Sequence, residues 1–342
     1  MKTYARLALL IGLAGTLSAC GGGTVSAPPI GPTFAPPGQA TTLYVGSGTG
    51  AGKIATMAAS ANGTVAPTTL IEGATTGLGF NYFTAVDAQG RAWTTNCLSI
   101  NVPGPVSAFA AGATGDVAPT ISLEGSNTTF SGCQTGIAID ASGNAIVGDL
   151  SNLPGYPGGH IAIFAAGATG NVAPARIIAG ASADFHSPTG IAVDGPGNIY
   201  VADSGLGYSY SGDVAVFAAG ASGDVAPSTV IVGGATGLST PEGVALDARG
   251  NIYVANLGNN TVTVYAANAS GDATPIRTIG GALTGLDQPI GIAVDAAGYV
   301  YVGSQASGPL QVFAPGATGD VAPVQSIAVN ATQFLSTGVA VR

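Results

Sequence analysis

The chain has 342 residues, with 55 glycines and 21 prolines; charged residues make up 7% and apolar residues 46%. So much apolar content with so little charge excludes a disordered chain, and glycines without a three-residue period exclude collagen. A formal charge of -9 and a pI near 4.3 argue against a nucleic-acid partner, which needs a basic face. Mean hydropathy is +0.44, yet no apolar run reaches the roughly 18 residues that a spanning helix requires.

In chain order, residues 1–19 come first and read as a secretory leader. Lys2 and Arg6 supply the positive start, and Leu7 to Ala14 an apolar stretch too short to cross a bilayer. The segment runs into Leu17-Ser18-Ala19-Cys20, which resembles the lipobox of bacterial lipoproteins. The alternative is a plain signal peptide with an incidental cysteine. The resemblance implies cleavage before Cys20 and acylation of Cys20, and several acyl chains hold a protein firmly on a membrane. Gly21 follows, where lipoproteins kept at the inner membrane typically carry Asp. The expected address is therefore the bacterial envelope, with the outer membrane as destination. Residues 20–40 carry GGG and two Pro-Pro pairs without a charge, the composition of a tether.

Residues 41–342 are organised by an internal repeat. One module appears as VSAFAAGATGDVAP from Val106, IAIFAAGATGNVAP from Ile161 and VAVFAAGASGDVAP from Val214. Further copies begin at Val262 and Leu310, with a degenerate one at Ile54. Their closing prolines, Pro67, Pro119, Pro174, Pro227, Pro275 and Pro323, are spaced by 52, 55, 53, 48 and 48 residues. A second module interleaves with the first, clearest as GIAVDGPGNIYVAD from Gly190 and GVALDARGNIYVAN from Gly243. Each alternates side chains with period two around a turn, as a β-hairpin does. Two hairpins per period make a four-stranded unit, with strand a in GIAVD, b in NIYVA, c in VAVFA and d after the proline.

The chain enters this repeat at Leu43-Tyr44-Val45-Gly46, already a strand b, and finishes at Gly338-Val339-Ala340-Val341, a strand a. Joining the two completes one unit from both termini and leaves no open edge. Five whole units and one split unit predict an all-β, six-bladed propeller, and a monomer. The units GIAVDGPGNIYVADS and GVALDARGNIYVAN resemble NHL repeats, the blades of NHL-type propellers; this implies the same fold and a binding role, though propellers host unrelated functions.

Asp87, Asp140, Asp194, Asp247 and Asp295 end strand a, each with Gly three residues later. A carboxylate recurring at every turn is read as turn chemistry, with Asp accepting backbone N–H groups and Gly at positive φ. The Gly-Asp pairs at Asp116, Asp224, Asp272 and Asp320 are placed in the c–d turns. Function is expected where the copies disagree, on the face formed by the b–c and d–a loops. There, over blades 2–4, stand the ligand-binding candidates Tyr82, Asp149, Tyr156, His160, Phe185, His186, Asp203, Tyr208 and Tyr210. Tyrosine-rich, glycine-rich loops suit contact with a protein, glycan or small ligand. The same side chains would equally serve to pack long loops onto the rim. Cys97 and Cys133 lie on this face and form a disulfide candidate in an oxidising compartment; two free thiols or a soft-metal pair is the alternative.

Two functions follow. The first is a lipid-anchored, non-enzymatic envelope protein that binds through its loop face. The alternative is a metal-dependent enzyme resembling propeller lactonases or lyases. For that reading the strand-b ends supply Ser47, Asn96, Asp149, Asp203, Asn256 and Ser304, and oxygen ligands such as Asp149 and Asp203 would suit calcium. Neither an HxH or HExxH spacing nor a serine in a nucleophile elbow accompanies them. No catalytic residue and no cofactor is assigned.

Overall fold

The computed structural model describes residues 40–48, 52–81, 83–99, 102–150, 158–205, 212–306, 308–332 and 334–342. Cys20, the leader, the tether up to residue 39 and four of the ligand candidates (Tyr82, Tyr156, Tyr208 and Tyr210) lie outside these residues. The described residues form six blade sheets, each in the antiparallel order a-b-c-d, and a separate two-stranded ribbon of Cys97–Ser99 with Val102–Pro103. The inner strands are Ser336–Val341, Thr84–Val86, Gln134–Ile139, Pro188–Val193, Pro241–Leu246 and Pro289–Val294 for blades 1 to 6. Each packs on the next around the axis, and the last returns to the first. This is the expected six-bladed propeller, and the expected split blade closes it. Ser336–Val341 pairs with Thr42–Ser47, setting Val341 against Leu43 and Val339 against Val45.

The apolar core is not one body but six clusters, each lying between two neighbouring blades. One joins blades 6 and 1, where Tyr301, Leu310, Val312 and Ile327 meet Leu43, Val45, Met57 and Val339. A middle strand is thus covered on both faces, so Ile252–Asn256 is buried at every position. That double covering accounts for the high apolar content without any membrane span; no described helix is long and apolar enough to cross one.

The a–b turns form as their sequence predicts. Asp247 accepts the N–H groups of Arg249 and Asn251 on one oxygen, at 2.8 and 2.9 Å, and the Asn251 amide on the other at 2.7 Å. Gly250 takes φ +79°. Asp87, Asp140, Asp194 and Asp295 repeat the arrangement. In blade 2 the second oxygen also accepts the Trp93 indole N–H, at 2.8 Å.

The c–d aspartates do something the turn reading did not anticipate. Asp272 reaches back to the preceding blade and accepts the Ala235 N–H at 2.6 Å, beyond the end of that blade's strand d. Asp116, Asp224 and Asp320 do the same for Thr75, Ser182 and Leu283, and Asn171 does it for Asn127. A glycine at positive φ faces each of these side chains; at Gly233, φ is +136° and a Cβ would overlap the Asp272 carboxylate. A short parallel bridge accompanies each staple, such as Ile231 with Gly271. At the seam the bridge lengthens into a strand: Gly63–Val65 of blade 1 pairs in parallel with Gln325–Val329 of blade 6. Asn62 there accepts the Ser326 N–H at 3.0 Å.

Two outcomes follow from this architecture. Replacing Asp224 or Asp272 by alanine should each lower stability by about 1 kcal/mol, the worth of a typical hydrogen bond. Asparagine at the same positions should cost less than half of that, because Asn171 performs the role in blade 3; urea titration measures both. Deleting Gly338–Arg342 removes most of the closing strand and should abolish the cooperative thermal transition. Calorimetry showing an unchanged melting temperature would refute closure by the split blade.

Candidate functional site

The loop face is where the sequence placed its candidates, and the five described ones fall into two groups. In blade 3, Asp149 and His160 stand opposite each other across the b–c ladder, both fully buried. Asp149 accepts the Ser131 N–H at 3.3 Å and the Gln134 amide at 3.1 Å. His160 Nε2 lies 3.1 Å from the Thr129 hydroxyl. Burial pushes the His160 pKa down, and the nearby Asp149 charge only partly offsets it. A mostly neutral imidazole held in a ladder is a structural arrangement.

In blade 4, Asp203 accepts the N–H groups of His186 and Ser187, each at 2.7 Å, and so caps the loop that leads into strand a. His186 Nδ1 is 3.9 Å from the Asp203 carboxylate. Asp213 sits opposite Asp203 in the ladder, with one oxygen buried and without a hydrogen-bond partner. Burial, followed by the Asp203 and Asp184 charges, pushes the Asp213 pKa up to about 8. These groups border a surface cavity of about 450 Å³ together with Phe185. Phe185 is only 6% exposed, and its ring packs on Phe217 at 5.3 Å in the core between blades 3 and 4. Among the described residues, no three His, Cys, Asp or Glu side chains gather where they could hold a metal ion. Among the strand-b ends, Asn96 and Asn256 accept the Gly79 and Ser239 N–H groups, as Asp203 accepts those of His186 and Ser187 in its own blade.

The cysteines form the disulfide. Cys97 and Cys133 are bonded with their Cα atoms 4.6 Å apart, tying the b–c segment of blade 2 to the approach of strand a in blade 3. The bond lies on the wall of a second cavity, and none of the five described ligand candidates lines it.

This cavity, of about 300 Å³, sits on the axis at the loop face and draws on five blades. Phe83, Cys133, Leu150, Leu257 and Ile290 give it an apolar wall, with Thr135, Ser187, Thr189 and Gln305 between them. Gln305 is exposed and marks the rim. While blade 2 gives Phe83, which precedes Thr84, the inner strands of blades 3 to 6 put Thr135, Thr189, Glu242 and Ile290 at the wall, each immediately before a glycine. Where that residue is threonine, its hydroxyl donates to the next blade: Thr135 to Pro188 O at 2.7 Å, Thr189 to Pro241 O at 3.2 Å and Thr337 to Asn81 O at 2.7 Å. Blade 5 breaks the series with Glu242, and blade 6 with Ile290.

Glu242 was not singled out from the sequence. It is 8% exposed, and it is the one carboxyl among the described residues of the wall. Burial alone pushes its pKa up to about 8, with no neighbouring charge contributing. The signal was present in the repeat: in the column before the strand-a glycine, the copies read Thr135, Thr189, Glu242, Ile290 and Thr337, and one acid stands among threonines.

Comparisons agree with this architecture. The NHL repeat family model matches residues 238–265, which span the turn into blade 5 and its first three strands. No curated sequence matches the chain. Among solved structures, one of a Bacteroides caccae protein of unknown function superposes with a TM-score of 0.59 at 13% identity, covering 89% of this chain and all of that one. The periplasmic gluconolactonase of Pseudomonas aeruginosa superposes at 0.55 with 19% identity, over 86% and 84% of the two chains. A Bacteroides uniformis protein provisionally assigned as a 6-phosphogluconolactonase gives 0.55 at 16% identity, over 87% and 84%. At these identities the likeness is one of fold.

Burial raises the carboxyl groups of Asp203, Asp213 and Glu242, and the two pushed up to about 8 make stability depend on pH. Below their unfolded values Glu242 and Asp213 are protonated in both states; as pH rises toward about 8, only the unfolded chain sheds the protons freely. Stability should therefore fall between pH 5 and pH 8, by at most about 1.4 kcal/mol per pH unit for each group. Glu242→Gln should flatten part of this slope in chemical unfolding. A slope identical to that of the parent would show that Glu242 ionises normally.

Proposed function

We propose that the chain is a lipid-anchored, non-catalytic binding protein of the bacterial envelope, holding a small ligand in the axial cavity of its loop face. The observation that carries this reading is the cavity itself, apolar and walled by five blades, with a single convergent carboxyl. A disulfide on its wall suits an oxidising compartment outside the cytoplasm. The anchor rests on Leu17-Ser18-Ala19-Cys20, and the charge-free tether would let the propeller stand off the membrane. Gly21 favours the outer membrane. A protein or glycan partner would be met through the loop tyrosines Tyr82, Tyr156, Tyr208 and Tyr210.

A second reading, a lactonase-like enzyme, draws on the description of two structural neighbours as gluconolactonases. One local feature favours it: a carboxyl held protonated near neutral pH is in the state of a general acid.

Screening a small-molecule library by thermal shift should yield ligands that raise the melting temperature. Leu257→Trp, which fills the rim of the cavity, should abolish those shifts. Hits indifferent to that substitution, or none, would remove the axial cavity from consideration, while turnover of an aldonolactone panel would favour the enzyme. For the anchor, Cys20→Ser should move the protein from the detergent phase to the aqueous phase on cloud-point partition.

A further inference from the structure

Glu242 is a liability where it stands. The ring position before the glycine is built for a hydroxyl, since Thr135, Thr189 and Thr337 each satisfy themselves on a carbonyl of the next blade. A glutamate at that position in blade 5 is too long for the same short bond. It is 8% exposed, and no hydrogen bond reaches its carboxyl among the described residues. A buried carboxyl without a partner costs several kcal/mol when ionised, so folding alone does not account for it. Its neighbour in the ring, Ile290, removes the next hydroxyl as well and leaves an apolar surface beside the carboxyl.

The complement of that surface is specific. A lone acid in an apolar enclosure is matched by a ligand with one positive charge and an apolar body, which restores the missing partner and fills the walls at once. A metal ion would need several oxygen ligands, and the wall offers one carboxyl among the described residues. An anion would find no cationic group among the described residues of the wall. A cavity of about 300 Å³ holds about ten water-sized volumes, which sets the ligand near ten heavy atoms.

We infer that the axial cavity selects a small monocationic amine with an apolar or aromatic body, its ammonium paired with Glu242 and its body against Phe83, Leu150, Leu257 and Ile290. This rests on the reading of the cavity as the binding site and names the ligand class for it.

The pairing has a thermodynamic signature. The amine arrives charged, whereas Glu242 in the empty cavity holds its proton up to about pH 8. Binding therefore expels one proton from the carboxyl, and affinity rises about tenfold per pH unit below that value. Other titratable groups face Glu242 poorly. The described wall contributed by the neighbouring blades carries Thr135, Thr189, Ser187, Gln305 and the disulfide-bonded Cys133, and no neighbouring charge contributes to the raised Glu242 pKa.

Calorimetric titration of the full chain with benzylamine, benzyl alcohol and benzoate tests this. Benzylamine should bind about tenfold more tightly at each unit from about pH 5.5 to about pH 7.5, benzyl alcohol should bind weakly and without pH dependence, and benzoate should not bind. Glu242→Gln should weaken benzylamine at least tenfold at the upper pH and erase the slope. Glu242→Thr, which restores the ring pattern, should do the same with an undiminished melting temperature and guards against a merely unfolded variant. Benzyl alcohol binding as tightly as benzylamine, or benzylamine indifferent to both substitutions, would overturn the inference. If amines fail while library hits sensitive to Leu257→Trp persist, the ligand class is wrong and the binding site stands; if both fail, the site falls with it.

Discussion

The structure depends on how closely its inner strands approach one another. At Gly136, Gly190, Gly243 and Gly291, an added Cβ would overlap the backbone carbonyl of the adjacent blade, at Thr189, Glu242, Ile290 and Thr337 respectively. None of these glycines has a positive φ; what they supply is the absence of a side chain. Backbone packed on backbone brings the inner strands together at the axis. The residue preceding each glycine is then forced toward the axis, where its side chain either bonds to the next blade or lines the cavity. The position of the candidate site is thus a consequence of the same contact that closes the ring.

Farther out, the constraint changes in kind. Side chains between blades are large and apolar, such as Phe164 and Phe217, and each cluster belongs to two blades rather than one. No blade has a core of its own, so the ring is stable only as a ring. The aspartate staples from Asp116 to Asp320 sit at the periphery and hold each c–d turn to the preceding blade, adding direction to contacts that the apolar clusters leave unspecific. At the seam the chain uses three residues of parallel strand instead, beside the split blade, whose inner strand Ser336–Val341 is held to Thr42–Ser47 by strand pairing alone.

The fold was almost wholly legible in the sequence, because a period near 50 residues fixes the blade and the two end fragments fix the closure. The turn aspartates were legible for a similar reason: Asp-x-x-Gly is a local motif, and local geometry satisfies it. Asp272 and its counterparts were read as local when their partner lies a blade away, 37 residues back for Ala235, and composition around a turn carries no trace of that. Phe185 looked like an exposed loop aromatic because it lies outside the repeat, yet the loop folds inward and gives its ring to the core. Attention to loops also directed the search away from Glu242, which lies inside a repeated strand. Departure from the repeat was the right signal, but it had to be sought column by column as well as loop by loop.

The column of ring residues also explains why the departure is informative. A repeat protein can place the same residue at every equivalent position, and threonine at this one satisfies its own hydroxyl while sealing two blades. Replacing it by a buried acid in blade 5 and by isoleucine in blade 6 gives up two inter-blade hydrogen bonds and adds a desolvated carboxyl. Both losses fall side by side on the wall of one cavity, at the end of the axis where the loops differ most. Drift in an unconstrained position would favour small or solvated side chains, since a destabilising buried acid is selected against. A buried acid set among hydroxyls in a well-packed ring therefore marks a place where something other than folding sets the residue.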